Sequence, residues 1–476
     1  MKEALERKPR EDLERENIEL KRQLGEAYEM IRKLTEQVEA LQRAGKRQAV
    51  PFARRDVQLV TRSEPRKRGR KPGKGEFKNR EKPKEEEITE TKKAELNGCP
   101  DCGSALEDVR EQEQYEIDIP VIKPVITRYV MLSGKCPQCG KRHKLCHPDQ
   151  ISEAVGASGV VIGPRAKALA SDLKHRFGAS YGKVSGVLND AFHLNVTRGA
   201  WQQADQRLAL QAQPIYRELI EALRACTVVH GDETGWRIGL LSAWLWVFTS
   251  QTLTVYTIET SRSHEVALNI LGKDFKGVLV SDCFLAYDHQ VLRDWLKQKC
   301  LSHLLKDLKE LTETKTRGAV RFAHEVKEVL QTALELKAQK AQLPAARYTH
   351  QVKALEAQLD ELIDAKRKLT DPDNARFAKR LRKHRPHILR FLYVEELDAT
   401  NNLAERQLRP AVITRKTNGC NRTEAGAQTH AILGSLLVTC RQQAVPILEY
   451  LIKLQKFGET PPPLTNCLAP VAYSTG

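Results

Sequence analysis

The sequence predicts a multidomain α+β protein of 476 residues, and three observations lead to that prediction. A leucine heptad near the start predicts a long helix of the coiled-coil type. Two CPxCG motifs predict a small cysteine-bearing module. Further on, β-branched runs that end in aspartate precede a stretch rich in Lys, Glu, Ala and Leu, which predicts an α/β core interrupted by helices. A chain of this length is expected to fold as several domains.

Shifts in composition and periodicity divide the chain into eight segments. In order they are a coiled-coil dimerisation helix (1–50), a basic flexible linker (51–95), a cysteine module (96–150), a helical region (151–225), the first part of the core (226–300), a helical insertion (301–395), the C-terminal part of the core (396–455) and a tail (456–476).

The charge balance of the chain favours a polyanionic partner. Its net charge is +17 with a pI of about 9.3, and the positive charge is clustered. The first residues are charged and lack the apolar stretch of a secretory signal. The longest uncharged apolar run, Ile238 to Phe248, is shorter than the ~18 residues that a membrane span needs. We therefore expect no membrane partner.

A heptad repeat in residues 10–45 predicts a coiled coil that joins two copies of the chain. Asn17 occupies an a-type position, where asparagine fixes a parallel dimer in one register. A single amphipathic helix packed on its own protein is the alternative. The two seams of the repeat consist of Leu13, Leu20, Ala27, Leu34 and Leu41, and of Asn17, Leu24, Ile31 and Val38.

Residues 54–84 carry 13 Lys or Arg against 4 Asp or Glu, and their prolines and glycines predict an extended, flexible linker. Its centre resembles an AT-hook, in which a Gly-Arg unit enters the minor groove of A·T-rich DNA. Contacts to phosphates without sequence preference explain the composition equally well. A nuclear localisation signal is a third, weaker alternative. The predicted DNA-binding residues of this segment are Arg66, Lys67, Arg68, Arg70 and Lys71.

Four cysteines predict a structural zinc ribbon, and they form the pairs Cys99/Cys102 and Cys136/Cys139. In a CPxCG knuckle two cysteines reach one metal from a tight turn, and the glycine permits the backbone conformation that follows. The alternating, β-branched sequence between the pairs predicts two short strands. His143, Cys146 and His147 follow closely and could compete as ligands.

Residues 160–225 are expected to be helical, with Gly163-Pro164 starting a helix. The stretch from Ser180 to Ala204 has the rhythm of helix, short turn, helix. A DNA-reading helix-turn-helix and a helical lead-in packed on the core both fit this pattern.

Residues 226–300 predict the start of an RNase H-like sheet. CTVVHGD predicts a strand, SAWLWVFTS and LTVYTIE a hairpin, HEVALNILG a helix and GVLVSD a further buried strand. In that order Asp232 closes the first strand and Asp282 closes the fourth, which is its neighbour in such a sheet. Glu233 points to the opposite face of the sheet, and Asp288 falls after the strand.

The insertion 301–395 is expected to contain a long helical hairpin. The chain then returns with a helix on which Asn402, Glu405, Arg406 and Arg409 share one face, and which Pro410 must end or kink. Two strand-end aspartates and this helical glutamate suit a site for two Mg²⁺ ions that clamp the attacking and leaving oxygens of a phosphodiester. The predicted catalytic residues and Mg²⁺ ligands are Asp232, Asp282 and Glu405.

The sequence resembles transposases of the insertion-sequence-66 family of bacterial DDE transposases, over nearly its whole length. The most specific match is NN-x-AER-x-LRP. The motifs that carry the resemblance are HGDETGWR (230–237), SAWLWVF (242–248), VSDCFLAYD (280–288), CLSH (300–303) and NNLAERQLRP (401–410). Such relatives place their three acids where Asp232, Asp282 and Glu405 stand. Many also have a Cys-x-x-His, matched by Cys300 and His303, with a role left open between metal binding and packing.

The resemblance implies Mg²⁺-dependent cleavage at element ends, with Mn²⁺ as a substitute ion, followed by strand transfer into target DNA. It implies double-stranded DNA as partner, a homodimer that pairs two ends, small accessory proteins of the same element and a bacterial, nucleoid-associated cytoplasmic location. Phosphate contacts are expected from Arg406, Arg409, Arg415 and Lys416. The alternatives are a non-catalytic DNA-binding regulator or inactive element product, and a nuclease that only hydrolyses.

Overall fold

Two compact units make up the chain, Met1–Ile119 and Pro120–Gly476, and each is described by itself. The computed structural model describes residues 19–30, 81–94, 98–145, 147–151, 159–315, 318–456 and 459–465.

The first unit contains a helix at residues 19–30, within the predicted coiled coil. Arg22 forms ion pairs with Glu19 and Glu26, three and four residues away on the same face of the helix. Leu20 and Leu24, one from each predicted seam, are exposed. The other seam positions except Ala27 lie outside the described residues, and the dimer stays a prediction.

The strands near the second CPxCG motif lie where the sequence did not predict them. β1 (Ser133–Lys135) and β2 (Arg142–Lys144) form an antiparallel hairpin around Cys136 and Cys139. The prediction of two strands in the alternating stretch between the cysteine pairs is wrong, because residues 103–132 contain none and only β1 lies between the pairs. Alternation alone makes no strand; the knuckle turn brings the flanking residues close enough to pair.

Three helices lead into the sheet, and each begins at a recognisable signal. α1 (Pro164–His175) starts with proline at its first position, as predicted. α2 (Tyr181–Phe192) and α3 (Arg198–Arg224) are capped by the side chains of Ser180 and Thr197. The helix–turn–helix rhythm is thus confirmed. The second half of α3 packs on the sheet through Leu219 and Leu223, and DNA reading by α2 and α3 stays a prediction.

The sheet has five strands in the described residues, and its order is β5-β4-β3-β6-β7. β3, β4 and β5 are antiparallel, whereas β6 and β7 run parallel to β3. The predicted hairpin and the predicted contact between the first and fourth strands are therefore confirmed. The bounds are β3 (Val228–Ile238), β4 (Leu241–Thr249), β5 (Thr254–Glu259), α4 (His264–Leu271), β6 (Val278–Ser281) and β7 (Leu296–Lys299).

Both faces of the sheet are covered, and the two-residue period of the strands decides which side chain faces which layer. Trp246 and Phe248 of β4 face a core built with α3, α4 and the last two helices. Leu245 and Val247 face the other way, toward the helix that carries Glu405. Val278 and Val280 of β6 share a core with the helical insertion.

The predicted helical insertion is observed. α5 (Leu301–Thr314), α6 (Ala319–Ala338), α7 (Ala345–Ile363) and α8 (Pro372–His384) follow β7. α6 and α7 pack against each other with Leu330 and Leu355 in their common core, as expected for a helical hairpin.

The last three helices are α9 (Asn402–Asn418), α10 (Glu424–Gln442) and α11 (Ile447–Gln455). Pro410 lies inside α9, so of the two predicted outcomes, an end or a kink of the helix, the end is wrong. Proline removes only one N–H donor, and the turns on either side keep their own bonds. The helix instead ends at Gly419, whose φ of +76° favours glycine.

No helix in the described residues is long and apolar enough to cross a membrane.

Candidate active site

Asp232 and Asp282 become neighbours through the parallel pairing of β3 and β6. In the register of this pairing, His230 lies opposite Val280. Asp232 and Asp282 each lie two residues further along the chain. β6 ends at Ser281, so Asp282 follows its last residue. β3 continues to Ile238 as one arm of the hairpin with β4. The prediction that Asp232 closes its strand is therefore wrong, although the site lies where β6 ends beside β3.

The third acid, Glu405, lies in the first turn of α9. Asn401, immediately before this helix, is fully buried and ties it to β3. Its amide donates to the carbonyl oxygen of Gly231 at 2.9 Å, and its amide oxygen lies 3.3 Å from Nδ1 of His230. The start of α9 is thereby attached to the strand residues that precede Asp232.

The electrostatics of Asp232 bring the three acids into one site. Burial raises the pKa of Asp232 to about 7, and the negative charges of Glu233, Asp282 and Glu405 act in the same direction. Its only hydrogen bond among the described residues comes from the backbone N–H of Glu233. Such a cluster of mutually repelling carboxylates is suited to hold a cation, which would reverse the repulsion.

Glu233 takes the opposite face of β3, as predicted. It accepts hydrogen bonds from Arg262 at 2.8 Å and from the hydroxyl of Tyr287 at 3.0 Å. Arg262 in turn lies over the ring of Phe284, two residues after Asp282. Glu233 therefore has a structural contact network of its own beside the site.

A fully buried lysine holds the loop that follows Asp282 in place. Lys299 of β7 donates to the carbonyl oxygen of Asp282 at 2.9 Å and pairs with Asp288 at 2.9 Å. Burial opposes ionisation of Asp288, but Lys299 together with His384 and Lys383 outweighs it, so the pKa of that carboxyl is lowered. Lys383 and His384 of α8 lie 3.6 Å from the other oxygen of Asp288. Asp288 is thus a member of an ion-pair cluster.

β7 and its lysine were missed by sequence reasoning. The strand reads LKQK, with no apolar alternation, yet Lys297, Gln298 and Lys299 are all buried. Gln298 and Lys299 find their partners only in the folded chain: Gln298 donates to the carbonyl oxygen of Ile388, and Lys299 pairs with Asp288. No local pattern in the sequence could have revealed it.

Cys300 and His303 lie against Glu405. Cys300 is the residue before α5 and is buried, and His303 stands in the first turn of that helix. The imidazole Nε2 is 3.9 Å from a carboxylate oxygen of Glu405. The interaction with Cys300 raises the pKa of His303 to about 9. Burial alone would raise the pKa of Cys300, but His303 and the N–H of Asn401 lower it overall.

The predicted DNA-binding residues of α9 divide into two groups. Arg406, Arg409 and Lys416 are exposed. Arg415 instead turns toward β3, where it donates to the hydroxyl of Thr234 at 2.9 Å and to the carbonyl oxygen of Gly235. The linker residues Arg66, Lys67, Arg68, Arg70 and Lys71 lie outside the described residues.

Both CPxCG motifs adopt the same tight turn. The N–H of Gly103 donates to the carbonyl oxygen of Cys99 at 2.8 Å, and Gly140 does the same to Cys136 at 2.9 Å. Both glycines have φ near +72°, which confirms the predicted need for glycine there. Cys99 and Cys102 belong to the first unit, and Cys136 and Cys139 to the second. Their joint zinc site stays a prediction; of the competing ligands, His143 lies in β2, His147 precedes a turn, and Cys146 is not described.

Comparison with known proteins assigns this mixed core of sheet and helices to a class of DNA-processing enzymes. Residues 159–429 match the family described as "Transposase IS66 family", and residues 97–140 match "zinc-finger binding domain of transposase IS66". Since the first match covers more than half of the chain, the protein belongs to the IS66 family of transposases and contains its zinc-finger domain.

A curated relative from Sinorhizobium fredii (strain NBRC 101917 / NGR234), "Uncharacterized protein y4qI", is 25% identical over 287 residues. The match covers 54% of this chain and 52% of that protein, so this chain spans about half the length of the relative.

Proposed function

We propose that the protein is a DNA transposase that cleaves element ends and transfers the freed strand into target DNA at a site formed by Asp232, Asp282 and Glu405. The observation that carries the proposal is the parallel pairing of β3 with β6 beside Asp232 and Asp282, together with the hydrogen bond from Asn401 that attaches the start of α9 to Gly231. Burial raises the pKa of Asp232, and the charges of Glu233, Asp282 and Glu405 act in the same direction, which supports the same grouping. Three carboxylates from two adjacent strands and one helix thus share one electrostatic site. We interpret the five-stranded sheet, with its antiparallel hairpin and parallel fourth strand, as an RNase H-like core.

The three carboxylates fit the ligand set of two Mg²⁺ ions, because oxygen is the donor that Mg²⁺ prefers. When bound, the two ions would supply an activated nucleophile and a stabilised leaving oxygen. Asp232 and Asp282 would present their carboxylates at the edge where β6 ends, and Glu405 would add the third from the first turn of α9, whose start Asn401 attaches to Gly231. The Asp282 carboxylate is oriented by the N–H of Phe284, which donates to it at 2.9 Å.

Exposed cations on α9 would contact the DNA backbone beside these acids. Arg406 and Arg409 lie one and four residues after Glu405, on the face of the helix that includes it. We propose that they, with Lys416, bind phosphates and set the register of the DNA on the site. The zinc-finger domain and the basic linker would add affinity without taking part in the reaction.

The predicted coiled coil gives a route to pairing two element ends. The exposed Leu20 and Leu24 on the described helix are the kind of surface that a second copy would cover. We propose a homodimer through this helix. We also propose that accessory proteins of the element take part and that the protein associates with the nucleoid; only membership of the family supports these two points.

Strand transfer by the full-length protein tests the function. A pre-cut DNA end from the element's own terminal repeats is mixed with target DNA and Mg²⁺, and joined products are counted for wild type, Asp232→Asn and Glu405→Gln. Glu424→Gln, an exposed acid at the start of α10, is the matched control. Loss of an outer-shell partner of a metal ligand already costs about 10–100-fold. Each site variant should therefore lose more than about 100-fold, and the control should retain joining.

The alternatives give different results in the same assay. Binding of the ends without joining by wild type would favour a regulator or an inactive element product. Cutting without joining would favour a nuclease. Joining that survives in either site variant would show that the carboxylates were wrongly assigned.

A further inference from the structure

A second set of metal-ligating side chains lies at the edge of the proposed site. Cys300 and His303 stand three residues apart at the start of α5, and Glu405 faces them from α9. One ligand atom from each, the sulfur, an imidazole nitrogen and a carboxylate oxygen, lies within 4.8 Å of the other two. Cys300 and His303 are not needed for the carboxylate chemistry proposed above, so the pair calls for its own explanation.

Packing does not explain the buried sulfur of Cys300. The buried cysteines Cys226 and Cys440 lie in the large apolar core that covers the sheet. Cys300 belongs to none of the apolar clusters formed by the described residues. Its sulfur instead accepts the backbone N–H of Asn401 at 3.1 Å. The same residue anchors α9, so the sulfur is held at a fixed place beside the start of that helix.

The donor set is one that zinc prefers and magnesium does not. Thiolate, imidazole and carboxylate are all zinc ligands, at about 2.3, 2.0–2.1 and 2.0–2.2 Å respectively. Magnesium takes oxygen ligands almost entirely. Three protein ligands with the fourth position open to water is the usual form of an accessible zinc site.

The distances leave room for closure. In a tetrahedral zinc site with those bond lengths, neighbouring ligand atoms are about 3.4–3.6 Å apart. From the 4.8 Å limit, closure thus requires contraction by at most about 1.4 Å. The side chains of His303 and Glu405 are 44% and 42% exposed and can make that movement, while Cys300 stays in place.

We propose that Cys300, His303 and Glu405 bind a zinc ion, separate from the zinc of the CPxCG motifs, and that this ion competes with Mg²⁺ for Glu405. Zinc at this position would antagonise the reaction, because it draws the Glu405 carboxylate toward Cys300 and His303 and so competes with Mg²⁺ for its oxygens. Binding would release protons from the imidazole and the thiol. The antagonism rests on the proposed function, whereas the existence of the site does not.

Metal titration of the full-length protein tests the site without an activity readout. Zinc per chain is measured after dialysis at rising free Zn²⁺, and Co²⁺ is added in parallel to reveal sulfur-to-metal charge-transfer absorption. His303→Gln and Cys300→Ser should each bind this zinc at least about tenfold more weakly, because even outer-shell changes cost that much. Cys420→Ser, a half-buried cysteine elsewhere, is the matched control and should bind as wild type.

A third variant distinguishes the zinc of the CPxCG motifs from the zinc proposed at Cys300, His303 and Glu405. Cys99→Ser with Cys102→Ser should lose a zinc that His303→Gln retains, and the two losses should add in the combined variant. Equal zinc binding by wild type and His303→Gln would overturn the proposal. Loss of the ion in Asp232→Asn but not in His303→Gln would also overturn it, since the ion would then lie on the carboxylates.

Competition with Mg²⁺ tests the antagonism. Strand transfer in fixed Mg²⁺ should be inhibited by Zn²⁺ in wild type, and His303→Gln should need at least about tenfold more Zn²⁺ for the same fractional inhibition. Identical inhibition curves would refute the competition. If wild type joins no DNA at all, the proposed function fails while the zinc count still decides the site. His303 is half-exposed, so His303→Gln decides the outcome even if Cys300→Ser does not fold.

Discussion

Two groups of acids lie at the end of β6, and they are stabilised in opposite ways. Among the described residues, Asp232 and Asp282 form no ion pair with Lys or Arg, and mutual repulsion helps raise the pKa of Asp232. Asp288, six residues after Asp282, pairs with buried Lys299 and lies near Lys383 and His384. Asp232 and Asp282 have no neighbouring lysine or arginine as ion-pair partner among the described residues, so a bound cation would have to supply the positive charge. Asp288 already has that charge from Lys299.

The contrast separates an acid of the proposed site, Asp282, from an ion-paired acid, Asp288, within one short motif. In VSDCFLAYD both aspartates are equivalent candidates by residue type. Lys299 distinguishes them by neutralising Asp288 and, through the same ammonium group, holding the carbonyl of Asp282. Asp288 and the backbone of Asp282 are therefore linked through one buried lysine.

The largest loss of stability is expected when the ion pair between Asp288 and Lys299 is broken. Asp288→Asn leaves Lys299 buried without its charge partner, and such a loss typically costs about 3–5 kcal/mol. Urea unfolding of wild type and variant measures the change. Replacing both partners by apolar residues, Lys299→Met with Asp288→Leu, should recover most of the stability but weaken Mg²⁺ binding, because the Asp282 carbonyl loses its donor. Equal stability of Asp288→Asn and wild type would contradict the contrast.

Mg²⁺ should stabilise the folded protein through Asp232 and Asp282, and it should leave the ion pair of Asp288 with Lys299 unaffected. At a concentration of 100 times its dissociation constant, a ligand raises the free energy of unfolding by about 2.7 kcal/mol. Thermal unfolding of wild type should shift upward with Mg²⁺ to that extent. Asp232→Asn should show little shift, whereas the control Glu424→Gln should respond as wild type.

The pKa of Asp232 predicts how stability depends on pH without divalent ions. Its value rises from 3.8 to about 7 on folding, so the folded state binds more protons between these values. The free energy of unfolding should therefore fall as pH rises from about 4 to 7. Chemical denaturation at several pH values should show this fall in wild type and a smaller one in Asp232→Asn. Parallel curves for the two proteins would show that Asp232 titrates normally.

Asn401→Ala should have an intermediate effect, lowering both the stability of the protein and its joining activity. The change leaves the buried carbonyl of Gly231 without its donor, which typically costs about 1–3 kcal/mol. Because α9 is then less firmly attached to β3, joining activity should fall together with stability. Asn402→Ala, the exposed neighbour, should change neither by a comparable amount.

The smallest effects are expected from the basic face of α9. Arg406→Gln and Arg409→Gln should each weaken DNA binding and reduce the slope of log affinity against log salt by about 1. Arg415→Gln should leave the salt slope unchanged and lower stability instead, because its guanidinium already contacts Thr234. Binding of labelled element ends at several salt concentrations distinguishes the two groups. A reduced slope in Arg415→Gln would place that residue on the DNA.

Much of the core was predictable because its signals are local. The hairpin of β4 and β5 and the buried strand β6 follow from apolar runs, and the insertion follows from helical spacing. The errors were also local: Pro410 does not end α9, and β3 runs past Asp232 into the hairpin. β7 escaped prediction because its buried residues are polar and depend on distant partners.

The sequence by itself determined the candidate acids, the CPxCG turns and the order of the elements, since each depends on residues close together in the chain. Only the tertiary structure decided which of these acids come near one another, because the pairing of β3 with β6 joins residues fifty positions apart and the anchoring of α9 by Asn401 joins residues 170 positions apart. It also decided that Asp288 is neutralised and that Cys300 and His303 face Glu405. Charge acts through space, so the role of an ionisable side chain depends on the charges that folding places around it.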